Sequence, residues 1–262
     1  MTGAGGGKMG LHPFHFIEYS RRIFNIYGRI IKMNTKDRNF IYVVLSRTPS
    51  KFAWAIRTFG RINYNHASIA FDSDLKELWS FARKMNNLPI DAGVVREFPE
   101  RFTLNKVNNI PIRIYRVPIN PGQYNLIRNR VMELHNDMGY HYNIFSALLY
   151  PIAGGFKTDR AYTCSEFVSA LLDEYTDVAI TRPCEAILPE ELHEILETFL
   201  VYDGNLLDYR EFEPVESSFF DYVSPWKVVA VTVTIFAVMA YRGAGRRTRE
   251  LSSLRDRWRD FW

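Results

Sequence analysis

Tyr162-Thr163-Cys164-Ser165-Glu166-Phe167-Val168-Ser169-Ala170-Leu171-Leu172 reads as the opening of a helix with a cysteine in its first turn. Thr163 and Glu166 have the spacing of a capping box, in which the threonine hydroxyl accepts from the Glu166 N–H and the carboxylate reaches back to the Thr163 N–H. Cys164 then takes the first helical position. There the unpaired N–H groups and the positive end of the macrodipole favour a thiolate and lower the thiol pKa. Phe167, Val168, Leu171, Leu172 and Tyr175 form an apolar stripe at helical spacing that buries the helix and fixes where the sulfur points. A cysteine in this setting also packs as a small hydrophobe, so chemistry requires a base elsewhere in the chain.

Upstream, Asn65-His66-Ala67-Ser68-Ile69-Ala70-Phe71 and Glu77-Leu78-Trp79-Ser80-Phe81-Ala82-Arg83 form two alternating runs across the polar loop 72–76, the pattern of a hairpin. Period two puts His66, Ser68 and Ala70 on one face, opposite Ala67, Ile69 and Phe71. His66 thus opens a strand on its smaller, more polar face, which a helix bearing a thiolate can approach closely. Phe40-Ile41-Tyr42-Val43-Val44-Leu45, 93–98 and 111–117 read as further strands. Pro121 to Gly139 reads as a helix with its seam at Tyr124, Ile127, Val131, Leu134 and Met138, and 50–59 and Pro189 to Phe199 read as helices too. Loops are expected around Gly154-Gly155 and over Val201 to Tyr209. Helices around consecutive, mainly antiparallel strands imply an α+β fold.

The 262 residues, 47% apolar and 15% aromatic, allow one sizeable domain with appendages. Residues 1–37 read as a glycine-rich start and an amphipathic stretch over 11–33, 38–222 as the domain, and 223–262 as an apolar segment with a basic tail. Cys164 and Cys184 are the two cysteines. With no N-terminal signal peptide, they point to an intracellular, reducing setting without disulfides. The tail from Arg242 to Trp262 carries seven arginines against three carboxylates, a surplus equal to the net +4 of the whole chain. The rest of the chain is therefore neutral in sum, and no specific nucleic-acid partner is expected. There is no phosphate-binding glycine loop and no zinc-type cluster, so no cofactor or metal is expected. Val228 to Tyr241 is 14 residues without a charge, flanked by Trp226 and Lys227 and by Arg242. It reads either as a short membrane segment with interfacial anchors, with membrane contact over 226–262, or as a buried valine-rich strand.

The histidine strand followed 98 residues later (164 − 66) by the Tyr162-Thr163-Cys164-Ser165-Glu166-Phe167-Val168 helix resembles the circularly permuted branch of the NlpC-type papain-like cysteine hydrolases. That branch contains lecithin-retinol-acyltransferase-like proteins and bacterial amidases, and the resemblance covers about residues 38–210. It implies a papain-like antiparallel sheet packed against the nucleophile helix, with Cys164 attacking a carbonyl carbon and His66 as general base. It also implies a third polar residue, from the strand after the histidine strand, that orients the imidazole. Ser80 stands at that place, a departure from the His, Glu, Gln or Asn of the family. His141, in an aromatic segment before the nucleophile helix, is placed to line the pocket. The resemblance implies hydrolysis or acyl transfer on an amide, ester or thioester of an acyl- or peptide-type substrate. The weak third residue leaves open a binding module that has kept the fold without efficient chemistry. A third possibility is a membrane adaptor whose globular part is only scaffold.

Overall fold

A sheet with large aromatic side chains on one face needs a cover for that face, and two helices supply it. The computed structural model describes residues 39–49, 63–88, 90–209, 215 and 217–259, all within one unit formed by residues 38–262. The expected amphipathic stretch over 11–33 and the helix over 50–59 lie outside the described residues. Six strands form one sheet: β1 (Phe40–Ser46), β2 (His66–Ala70), β3 (Leu78–Arg83), β4 (Ala92–Arg96), β5 (Pro111–Pro118) and β8 (Leu200–Asn205), in the order β4-β3-β2-β1-β5-β8. Every pairing in it is antiparallel. A second, two-stranded parallel ribbon joins β6 (His141–Tyr142) to β7 (Ala161–Tyr162). The helices are α1 (Pro99–Thr103), α2 (Pro121–Asn136), α3 (Ile144–Ala153), α4 (Cys164–Tyr175), α5 (Pro189–Leu196), α6 (Leu206–Tyr209) and α7 (Pro225–Arg259). The α+β class and the antiparallel sheet expected from the sequence are both present.

One face of the sheet takes α2 and α4. Phe71 meets Tyr124 of α2 edge-on at 5.5 Å, Trp79 meets His135 at 5.0 Å, and Phe81 packs against Phe167 of α4 at 6.2 Å. The opposite face, with Val44, Ala70, Leu78, Ile112 and Ile114, is closed by Phe102 of α1 and Leu206 of α6. The thiolate helix therefore covers the Ile69/Trp79 face and not, as the alternation of β2 implied, the His66/Ser68/Ala70 face. The reason is size: rings as large as Phe71, Trp79 and Phe81 require the broad apolar stripe of a helix to bury them.

Three segments differ from their reading in sequence. The stretch after Asn143 is not a loop but α3, capped at its start by the Asn143 side chain and ended by Gly154 in the left-handed conformation, φ 65. Gly155 follows with φ 86, and a Cβ there would meet the Glu185 carbonyl oxygen at 2.1 Å. The chain from Leu200 to Asn205 adds an edge strand to β5, because Pro111, Ile112, Arg113 and Ile114 leave β5 with an open edge. Residues 228–241 are helical, so the buried-strand alternative falls.

Candidate active site

β2 and β3 pair at Ile69–Trp79 and Ala70–Leu78 and part beyond Ile69 toward His66. A cavity of about 470 Å³ opens there, lined among others by His66, Phe81, Glu97, Tyr142 and Cys164. Cys164 arrives on the first residue of α4, one residue after the N-cap Thr163. Both arms of the capping box exist: the Glu166 N–H donates to Thr163 Oγ1 at 3.1 Å, and the Thr163 N–H donates to Glu166 Oε2 at 3.1 Å. Cys164 is 5% exposed. The Ala67 and Ser165 backbone N–H groups point at its sulfur.

His66 reaches the sulfur around the end of the sheet. Asn65, the residue before it, is clipped to the loop after β1: the Thr48 N–H donates to Asn65 Oδ1 at 2.9 Å, and Asn65 Nδ2 donates to Thr48 Oγ1 at 2.9 Å. The imidazole Nε2 lies 3.0 Å from Glu97 Oε1, which leaves Nδ1 for the Cys164 side. Phe102 stands edge-on to the ring at 5.9 Å. The sequence brought Cys164 and His66 into one site, and the structure places them in hydrogen-bonding range of each other.

The residue the sequence did not yield is Glu97. It follows β4, and its N–H donates to the Leu78 carbonyl at 2.8 Å. Its side chain is 4% exposed and fully engaged. Oε1 takes His66 and the Ser80 hydroxyl, while Oε2 accepts from Arg101 Nε at 2.7 Å. Ser80, expected to orient the imidazole, donates instead to the carboxylate that does contact the ring. The available signal was Glu97-Phe98-Pro99-Glu100-Arg101, a carboxylate and a guanidinium four apart across a helix start. Tyr142, next to the expected pocket residue His141, lines the cavity, and its hydroxyl hydrogen-bonds to the Cys164 sulfur.

The electrostatics of the group are one-directional. Burial opposes charge on His66, but its hydrogen bonds to Cys164 and Glu97, and their negative charges, push its pKa up to about 10. Burial likewise opposes the Glu97 carboxylate, and Arg101, His66 and Ser80 overcome it, bringing the pKa down to about 2. For Cys164, burial disfavours the thiolate, but His66 and the Ala67 and Ser165 N–H groups lower the pKa from its ordinary value. These directions favour a thiolate–imidazolium pair backed by an ionised carboxylate. Cys184 is the opposite case: burial and the nearby Asp173 and Glu185 push its thiol up to about 11. Among the described residues no group of three or more His, Cys, Asp or Glu side chains is arranged to hold a metal ion.

Comparison of the chain with family models, with curated proteins and with solved structures returned no match.

Proposed function

We propose that the protein is a cysteine hydrolase or acyltransferase that cuts amide, ester or thioester bonds through a thioester on Cys164, on a permuted papain-like frame. The observation that carries this reading is the buried Cys164–His66–Glu97 row, in which the imidazole bridges a sulfur and a doubly anchored carboxylate. The thiolate attacks the carbonyl carbon and the carbonyl electron pair moves onto oxygen. The Cys164 N–H, at the start of a helix, is the donor expected to face that oxyanion. The His66 imidazolium then gives its proton to the departing nitrogen, oxygen or sulfur, and the C–S bond remains as the thioester. In the second half, His66 takes a proton from water or from an acceptor hydroxyl or amine, whose lone pair displaces the thiolate. Glu97 keeps the ring in the tautomer that presents Nδ1 to sulfur and stabilises its positive charge, and Arg101 holds Glu97.

A fold that has lost its chemistry was the alternative while Ser80 stood alone as third residue. Glu97 removes its main support. The C-terminal helix gives the enzyme a membrane attachment. It is long and apolar enough over Pro225–Arg242 to be a weak candidate span, and most of that stretch lies outside the packed core.

The test is alkylation of Cys164 by iodoacetamide across pH, with Cys184→Ser as background. Reaction that titrates well below the free-cysteine value of about 8.5, and shifts upward in His66→Ala, is the expected result. An ordinary thiol indifferent to His66 overturns the reading.

A further inference from the structure

The charged groups that line the cavity do not balance. Arg83, Arg101 and Lys106 bring three positive charges, and Glu97 brings one negative charge. Cys164 and His66 form a pair that sums to zero, so the lining carries a surplus of two positive charges, although residues 38–222 as a whole carry 19 Lys and Arg against 24 Asp and Glu. Glu97 is already shared by His66, Ser80 and Arg101. Among the described residues, neither Arg83 nor Lys106 forms an ion pair with a carboxylate, although Lys84 next door is paired to Asp91.

Arg83 is also held in place. Its Nη1 donates to the Asn86 carbonyl at 2.9 Å, and its guanidinium lies 5.8 Å from the centre of the Phe219 ring. Arg101 sits over the same ring at 4.0 Å and donates to the Arg83 carbonyl at 2.5 Å. Two guanidiniums therefore share one aromatic ring, and only Arg101 is paired with a carboxylate. Burial and the repulsion of Arg101 push the Arg83 pKa down, as expected of a cation short of a counter-ion. Lys106 brings a third cation to the mouth from the turn after α1, with its head in solvent. The apolar part of the lining comes from Phe81, Phe102, Leu104 and Ile144.

We infer that this end of the cavity is an anion subsite, in which Arg83 and Lys106 receive a carboxylate or phosphate carried by the acyl compound that Cys164 attacks, while the apolar part of the lining takes its hydrocarbon part. The inference rests on the hydrolase reading for the word acyl, but not for the anion. An anionic substrate supplies the missing counter-charge, is drawn into a positive, partly enclosed site, and is thereby held next to the thiolate.

Iodoacetate and iodoacetamide have the same size and react alike: the thiolate displaces iodide and forms a C–S bond. They differ by one negative charge. The iodoacetamide rate reads the thiolate, and the ratio of the two rates reads the cations. In Cys184→Ser, iodoacetate is expected to react faster relative to iodoacetamide than it does with a free thiol. The ratio is expected to fall about tenfold in Arg83→Gln/Lys106→Gln, and in the parent protein as salt is raised to about 0.5 M. A ratio that ignores both changes, with iodoacetamide still fast, sinks the anion subsite and leaves the hydrolase reading standing.

Calorimetry with butyrate and with butyl phosphate reads the subsite without any reaction. Both anions are expected to bind the parent protein and to lose binding in the double variant, and the tighter of the two shows whether the natural group is a carboxylate or a phosphate. Butanol serves as the neutral control. Binding of neither anion, or equal binding of butanol, overturns the inference whatever the thiol does. Arg83→Lys keeps the charge and guards against a folding defect in the glutamine variant: it is expected to retain most of the iodoacetate preference.

Discussion

At the scale of single residues, Glu97 has the largest leverage on chemistry. Glu97→Gln keeps an oxygen for Nε2 but removes the charge that stabilises imidazolium. The acylation rate at neutral pH is expected to drop about 100-fold, and the thiolate titration to move upward. The same change leaves Arg101 buried without its partner, at a cost of about 3 kcal/mol or more, so Glu97→Asp is the companion variant. Urea unfolding read next to single-turnover acylation separates the two effects. The pKa shifts also set the pH limits of stability. Glu97 falls from 4.5 to about 2, so its contribution is present above pH 4.5 and is lost as pH falls toward 2. His66 rises from 6.5 to about 10, so its contribution is full below pH 6.5 and is lost as pH rises through 10. Glu166 behaves in the reverse sense to Glu97. Burial raises its carboxyl from 4.5 to about 7, so ionising it costs stability as pH passes upward through that value. In Glu166→Gln the unfolding midpoint is expected to lose that slope between pH 4.5 and about 7 while keeping the cap. Thermal unfolding at several pH values checks it.

At the scale of elements, the α4 start repeats the lesson with a helix. Thr163→Ala removes the hydroxyl that caps Glu166 N–H and is expected to cost about 1 kcal/mol. Because the cap also sets the direction of the Cys164 N–H, acylation is expected to slow by more than that destabilisation explains; the two are read on one protein by chemical unfolding and iodoacetamide kinetics. The α4 start was legible because capping, dipole and apolar stripe all involve neighbours in sequence. So were β1, β2, β3 and α2, whose periods are strong. What escaped depends on tertiary partners. α3 has ten residues, among them Pro151, and follows a helix-capping asparagine that reads as loop. β8 alternates weakly and exists because β5 needs an edge partner. Glu97 ends a strand with the appearance of a surface residue, and only its contacts with His66 and Arg101 reveal its burial. His66 was found by type and position, but the face of the sheet on which α4 lands was set by ring sizes spread over three strands.

At the scale of the whole molecule, α7 ties the tail to the site. Its inward stripe places Ile235 and Met239 against Ile90, Ile144 and Ala161, and Phe236 meets Phe145 at 5.5 Å. Arg242 donates to the Gly139 carbonyl at 3.0 Å. The outward side leaves Trp226 84%, Val233 62% and Tyr241 81% exposed. In flotation with vesicles of about one-third anionic lipid, the full chain is expected to rise with the lipid, and a chain ending at Ser224 to stay in the dense fraction. Recovery of the full chain at the bottom of the gradient rejects the attachment. Ile90 and Ile144 line the cavity as well as the α7 seat, so the truncated chain is also expected to acylate more slowly.

Cys164 and His66 join the first residue of a strand to the first residue of a helix 98 positions later (164 − 66). Neither local structure nor a partly folded hairpin brings them together. The unfolded chain therefore carries an ordinary thiol, and the contacts that lower its pKa form only when the sheet has closed. Any partial opening of β2 from α4 disarms it again, so the rate at which an electrophile finds Cys164 is a direct gauge of how much of the population is native.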